Sequence, residues 1–329
     1  MPPSAELIDD PIPPANLEAD QGAPAAGTLI PGADLAQSAP GLESRQSSAA
    51  VPPSDDLPLT IIERQPGWHL VNLRELWRYR ELLVILTWRD IKVRYKQTVL
   101  GAAWAVLQPF ATMVVFSLFL GRVASLGAGD LPYPLFVFAG ILAWFLFANA
   151  ITTASQSVVG NQALVTKVYF PRMLIPLSAA GTAVVDFAIG FVLLLLMMAY
   201  YGVAPGWNLF LTPLLAAGLA LAAVGVGTLF AALTVAFRDF RYVIPFMVQL
   251  WMFATPSVYM DAVHVVGPRG TAFLPLNPAY GLIANFRAAA LGMELDWYSL
   301  SLSLTVSVAL LVVGCFYFRR VERSFADVI

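Results

Sequence analysis

The feature that most constrains this chain is the distance between its charges. After Thr60 the charged residues are so sparse that long intervals carry none: Lys96 to Arg122, Asp130 to Lys167, Arg241 to Asp261 and Asp296 to Arg319. About 20 apolar residues cross a bilayer as a helix, and each backbone amide and carbonyl must then find its partner within the segment. The intervals predict six such helices: roughly 102–122, 134–154, 172–201, 210–236, one between Arg241 and Asp261, and one between Asp296 and Arg319. The third is interrupted only by Asp186, and Gly202 to Asn208 (GVAPGWN) supplies the turn into the fourth. With 58% hydrophobic and 12% charged residues, a soluble fold of 329 residues could not hide its apolar surface. The expected class is an all-α integral membrane protein.

The net charge of −2 is the sum of two unlike regions. Residues 1–60 hold nine acids against the single base Arg45, whereas the rest of the chain holds 18 bases and 12 acids. The acidic stretch also carries 11 of the 24 prolines and no Phe, Trp or Tyr, so it reads as a disordered tail. It lacks the basic start and apolar core of a cleavable signal peptide. A solvated spacer and a docking segment both fit its composition. If both termini are cytoplasmic, sixteen of the nineteen lysines and arginines fall on the cytoplasmic side, leaving Arg122, Arg269 and Arg287 outside. That excess fixes the expected orientation.

Several chemistries are excluded. Cys315 is the sole cysteine, and His69 and His264 are the sole histidines. An intrachain disulfide and a Cys/His zinc site are therefore out of reach, and neither a catalytic residue nor a metal ligand is expected. A P-loop needs Gly-Lys-Ser/Thr, so that backbone amides cradle phosphate while the lysine balances its charge. The lysines are Lys92, Lys96 and Lys167, none preceded by glycine. This chain is expected to bind no cofactor and to hydrolyse no ATP by that route.

Two segments on the predicted cytoplasmic side stand out. Residues 61–98 precede the membrane domain of residues 99–329. Within them Asn72 to Thr98 is studded with charge, and at 100° per residue Val84, Trp88, Ile91 and Tyr95 form one stripe while Arg89, Lys92 and Lys96 form another. This is the pattern of a helix lying in the membrane interface, either as a plain anchor or in contact with a partner. The other segment, Gln156 to Pro171, is too polar for hydrocarbon and too apolar for a solvated loop. Val165, Val168, Tyr169 and Phe170 would be exposed there unless covered, by a cytoplasmic subunit, by the interfacial helix, or by both.

Four runs, RDIKVRYKQTVLGAAWAVLQP (Arg89 to Pro109), NQALVTKVYFPRMLIPLS (Asn161 to Ser178), FRDFRYVIPFMVQLWMFATPSVYM (Phe237 to Met260) and LNPAYGLIANFR (Leu276 to Arg287), occur in that order. Together they resemble the permease subunits of bacterial polysaccharide ABC exporters, type-2 ABC transporters that move O-antigen, capsular polysaccharide or teichoic acid. The resemblance spans about residues 70–325 and says nothing of the acidic tail. It implies a homodimer in the bacterial inner membrane, in contact with membrane lipid and joined to two copies of a separate cytoplasmic ATPase that uses ATP and Mg. The implied cargo is an undecaprenyl-linked polysaccharide, and nucleic acid is not among the implied partners. By position, Trp88, Arg89, Lys92, Arg94 and Lys96 correspond to an interface helix, and Asn161, Lys167, Tyr169, Phe170 and Arg172 to an ATPase-coupling helix. The stretch Asp261 to Trp297, with Asn277 and Pro278, corresponds to short re-entrant outer helices between spans five and six.

A polysaccharide presents hydroxylated rings with apolar faces, so its conduit calls for aromatic platforms and scattered hydrogen-bonding groups. Spans one, two and five offer Trp104, Gln108, Phe110, Trp144, Phe145, Phe147, Asn149, Gln249, Trp251 and Tyr259. Such aromatics also pack helices together or mark membrane interfaces. Asp186, an acid inside a span, needs a named partner. It reads either as a proton-coupling group, which would make this a secondary transporter, or as a structural carboxyl held by a neighbour such as Thr182. A permease for small molecules or drugs shares the implied ATPase and stays open as an alternative.

Overall fold

The computed structural model describes residues 73–96, 101–124, 131–258, 267, 271–322 and 325. The expected disorder of residues 1–60 and the side chain of Tyr259 lie outside them. The described residues fold into ten helices: α1 Leu73–Arg78, α2 Arg80–Tyr95, α3 Ala103–Ala124, α4 Tyr133–Gly160, α5 Gln162–Lys167, α6 Leu174–Tyr201, α7 Thr212–Ala236, α8 Phe240–Phe253, α9 Pro278–Leu291 and α10 Trp297–Val321. Short 3-10 turns lie at Trp207–Leu211, Pro256–Val258 and Leu274–Leu276.

Five of these helices, α3, α4, α6, α7 with its leading 3-10 turn, and α10, are long and apolar enough to cross a membrane. They match the expected spans closely, with one overrun: α4 continues to Gly160 through a polar stretch. The hydroxyls there bond to their own helix, Thr152 to the Ala148 carbonyl at 2.8 Å and Ser157 to that of Ala154 at 2.7 Å. The polar groups are thereby satisfied without ending the helix. The segment expected as span five behaves differently. Helix α8 has 14 residues, about 21 Å at 1.5 Å per residue against the ~30 Å of a hydrocarbon core.

Helix ends follow local chemistry. Asn277 caps α9 by accepting from the Ala279 amide at 3.1 Å, with Pro278 at the first helical position. Gly202 and Gly292 close α6 and α9 at φ 69° and 72°, a left-handed conformation that only glycine adopts without strain. Helix α4 forms the centre, packed by α3, α6, α7 and α9, and from Leu135 to Ile151 most of its side chains are buried. A second apolar cluster lies at the opposite end of the bundle from the α9 cap. It joins Leu86 of α2, Val158 of α4, Val165 of α5, Phe170, the start of α6, the end of α7, and Phe318 with Phe325.

Apolar side chains give no solvent-driven preference for each other in lipid, so close packing carries helix association there. Helices α7 and α10 meet backbone to backbone. A Cβ on Gly225 would sit 2.6 Å from the Leu311 amide nitrogen, and one on Gly314 would strike the Gly225 carbonyl. Gly160 faces open space. Gly314→Ala should therefore destabilise the detergent-solubilised protein by about 1–3 kcal/mol, the usual range for overpacking. Gly160→Ala should be neutral or stabilising by up to about 1 kcal/mol, and thermal unfolding followed by size-exclusion chromatography compares the two.

Candidate functional site

Helix α2 lies along α6. The Thr87 methyl sits over Gly181, where an added Cβ would come within 2.8 Å of it, and Leu86 is buried against the second cluster. The expected apolar stripe divides: Ile91 and Tyr95 are half-buried, whereas Val84 and Trp88 are exposed, beside Lys92, whose ammonium stands 5.6 Å from the Trp88 ring centre. An exposed tryptophan next to a cation suits a lipid interface. Arg89 donates to Asp90 at 2.7 Å and to the Asn161 side-chain oxygen at 2.8 Å, so α2 is tied to the start of α5.

At its far end α2 holds Asp186. Arg94 places a guanidinium nitrogen 2.9 Å from one carboxylate oxygen, and the Tyr95 hydroxyl donates to the other. Burial, reinforced by the hydrogen bond to Asp186, pushes the pKa of the Tyr95 hydroxyl up to about 12. The expected partner, Thr182, instead donates to the Ala179 carbonyl at 2.8 Å. The sequence signal for the true partners was present: an intramembrane acid demands a cation, and Arg94 lies on a helix that flanks the spans.

Beside this pair opens a cavity of about 340 Å³ between α2, α3, α4 and α6. Its walls include Trp104, Gln108, Phe145 and Asn149 together with Arg94 and Asp186. One wall therefore offers an aromatic face, two amides and a charged pair, a set that can stack on and hydrogen-bond to a hydroxylated ring. Other conduit candidates lie elsewhere. Trp144 and Phe147 are buried in the core, where Phe147 meets Trp251 edge-on at 5.2 Å. The Trp251 indole donates to Asn277 at 3.1 Å, and Asn277 donates to Thr255 at 2.8 Å. This network ties α8 to the cap of α9, a link the sequence did not suggest. Phe110 borders a separate apolar hollow with Leu118 and Tyr200, and Gln249 is exposed on α8.

The loop expected to dock a partner divides in two. Val168 and Tyr169 are exposed, Tyr169 at 93%, and Lys167 is exposed beside them. Val165 and Phe170 are buried in the second cluster with Leu86 of α2, the cover expected of the interfacial helix, and the extended backbone after α5 turns Phe170 inward. Arg172 donates to the Glu322 carbonyl beyond α10.

The profile of one family, described as ABC-2 type transporter, matches residues 81–268. The chain belongs to the ABC-2 type transporter family. It is a multi-pass membrane protein of that family. It is 30% identical over 256 residues to the O-antigen export system permease protein RfbA of Myxococcus xanthus, covering 78% of this chain and 98% of that relative. The Klebsiella pneumoniae protein of the same name is 26% identical over 76% of this chain and 95% of its own length. The polysialic acid transport protein KpsM of Escherichia coli is 24% identical over 72% and 92%.

An intramembrane carboxylate stripped of its cation is costly, which sets an expectation for the pair. Arg94→Gln should destabilise the protein by about 1–3 kcal/mol, below the full cost for a buried pair because the Arg94 side chain is 38% exposed. Adding Asp186→Asn should restore much of that loss, a coupling that a double-mutant cycle on thermal stability measures.

Proposed function

We propose that this chain is the permease subunit of an ATP-driven exporter of lipid-linked polysaccharide, O-antigen or a similar glycan, in the bacterial inner membrane. The observation that carries the reading is coverage: relatives named for O-antigen export and for polysialic acid transport align over 92–98% of their own length. Two copies of the chain would pair with two copies of a cytoplasmic ATPase that binds ATP and Mg. Both termini would face the cytoplasm, which places the basic ends of α2, α6, α7 and α10 there. Helix α8, extended by the residues that follow it, would complete a sixth span, and α9 would enter the outer leaflet without crossing.

The geometry supports a coupling route. A push on the exposed Tyr169 is received by Phe170 and Val165, which share one buried cluster with Leu86 of α2. The Arg89–Asn161 hydrogen bond gives α2 and α5 a second joint. Motion of α2 would reach the Arg94–Asp186 pair and so the wall of the cavity, opening a path between the protomers past Trp104 and Phe145. The salt-bridged state of Asp186 gives a proton-coupled mechanism no support, and the relatives do not favour a drug exporter.

Tyr169→Asp should abolish copurification of the ATPase while leaving the permease folded; Phe170→Asp should instead lower the permease's own thermal stability. Retained ATPase binding in Tyr169→Asp would overturn the docking assignment. Deleting the protein should leave lipid-linked polymer accumulated on the cytoplasmic side, detected by extracting and sizing the glycan. A changed drug sensitivity without accumulated glycan would point to a small-molecule cargo.

A further inference from the structure

A second polar cavity, of about 300 Å³, lies where α7 gives way to α8 and α4 gives way to α5. Gln162, Thr234, Arg238, Arg241 and Tyr242 line it. Both arginines are exposed at the mouth of this cavity. Among the described residues no carboxylate lies within 4.0 Å of Arg238 or Arg241. Asp239, between them in sequence, pairs with neither. The Thr234 hydroxyl is already committed as a donor to the Phe230 carbonyl, at 2.8 Å.

Two guanidinium groups without a counter-ion, sharing one concave site with an amide and a phenol, are arranged for a multiply charged oxyanion. Guanidinium forks match phosphate oxygens in pairs, and basic pockets at the cytoplasmic ends of membrane helices receive lipid phosphate headgroups. What adjoins the cavity decides between a soluble anion and a lipid. Along α8, Tyr242, Phe246, Leu250 and Phe253 recur at helical spacing and are 79%, 60%, 48% and 54% exposed, and Phe237 beside the cavity is 58% exposed. The site is therefore charged at its mouth and continues into an open apolar stripe along a membrane helix. A ligand that fills both parts has a phosphate head and a long hydrocarbon tail.

We infer that Arg238 and Arg241 bind the diphosphate of a polyprenyl lipid, with its hydrocarbon chain laid along the exposed face of α8. This rests on the export reading above for the presence of such a carrier, and it adds a site apart from the Asp186 cavity. The headgroup would enter at the cytoplasmic end, with its charge held beside the membrane while the attached glycan stays free to move.

The test uses the purified full-length protein in neutral phosphatidylcholine nanodiscs, with farnesyl diphosphate as the probe and binding read by native mass spectrometry. Wild type should bind it at least tenfold more tightly than either farnesol or inorganic diphosphate, since each lacks one half of the match. Arg238→Gln with Arg241→Gln should weaken binding at least tenfold. Arg320→Gln, which removes an exposed arginine at the same end of the bundle, should leave it unchanged. Should the double variant fail to fold, Phe246→Ala serves: it should weaken farnesyl diphosphate and leave inorganic diphosphate as it was. Equal binding by wild type and the arginine variant would overturn the site. Equal competition by phosphatidylglycerol would overturn the carrier assignment in favour of bulk anionic lipid. The two readings separate cleanly. Loss of probe binding in the variant without glycan accumulation on deletion would leave the site standing and sink the export reading; accumulation with unimpaired variant binding would do the reverse.

Discussion

A carboxylate some twelve residues into a membrane-length helix is the constraint around which much of this chain is organised. At about 1.5 Å per residue, Asp186 lies roughly 18 Å along α6, where an unpaired charge is costly by several kcal/mol. Arg94 and Tyr95 meet its two oxygens, so α2 cannot drift along the membrane surface as an ordinary amphipathic anchor would. Its last turn is pinned against α6. Because α3 begins only a few residues later, that pin also fixes where α3 enters and brings Trp104 and Gln108 to the same acid. The mixed character of the cavity follows from one ion pair. The side chain of Arg94 is 38% exposed and that of Asp186 8%, so the pair can be approached from the arginine side alone.

The same docking brings the basic end of the bundle together. Leu86, Phe170 and Phe318 come from segments far apart in sequence, yet they share one apolar cluster, and Arg172 reaches the carbonyl of Glu322. The α5 loop, α2 and the end of α10 are thus one packed unit rather than three appendages. Force applied to any one of them is shared by all.

The long helices were legible because hydrocarbon penalises charge so steeply that the gaps between charged residues outline them; α10 ends within a few residues of where its gap places it, and α6 ends where the turn sequence from Gly202 begins. Orientation on the cavity wall was partly legible: Trp104, Gln108, Phe145 and Asn149 meet there, whereas Trp144 and Phe147, adjacent to Phe145 or two residues away, turn into the core. Residue type alone could not separate them, since every face of α4 is apolar and only the neighbours decide what is covered. Which of Tyr169 and Phe170 would be covered was illegible for a related reason. A helical or irregular loop would leave both aromatics outside, but the extended backbone after Lys167 turns adjacent residues to different sides. The length of α8 was illegible because the charge-free interval reads the same whether or not the helix stops at Phe253.

The contact at Gly225 and Gly314 has a mechanical consequence. Two helices whose backbones touch have no intervening side chains that could change rotamer and let one slide on the other, so α7 and α10 behave as a single stiff body. Helix α3, by contrast, leans on α4 and α6 through side chains and keeps most of its surface uncovered. The chain thus sets a stiff pair, α7 and α10, beside a loosely covered α3, and the absence of two β-carbons draws the line between them.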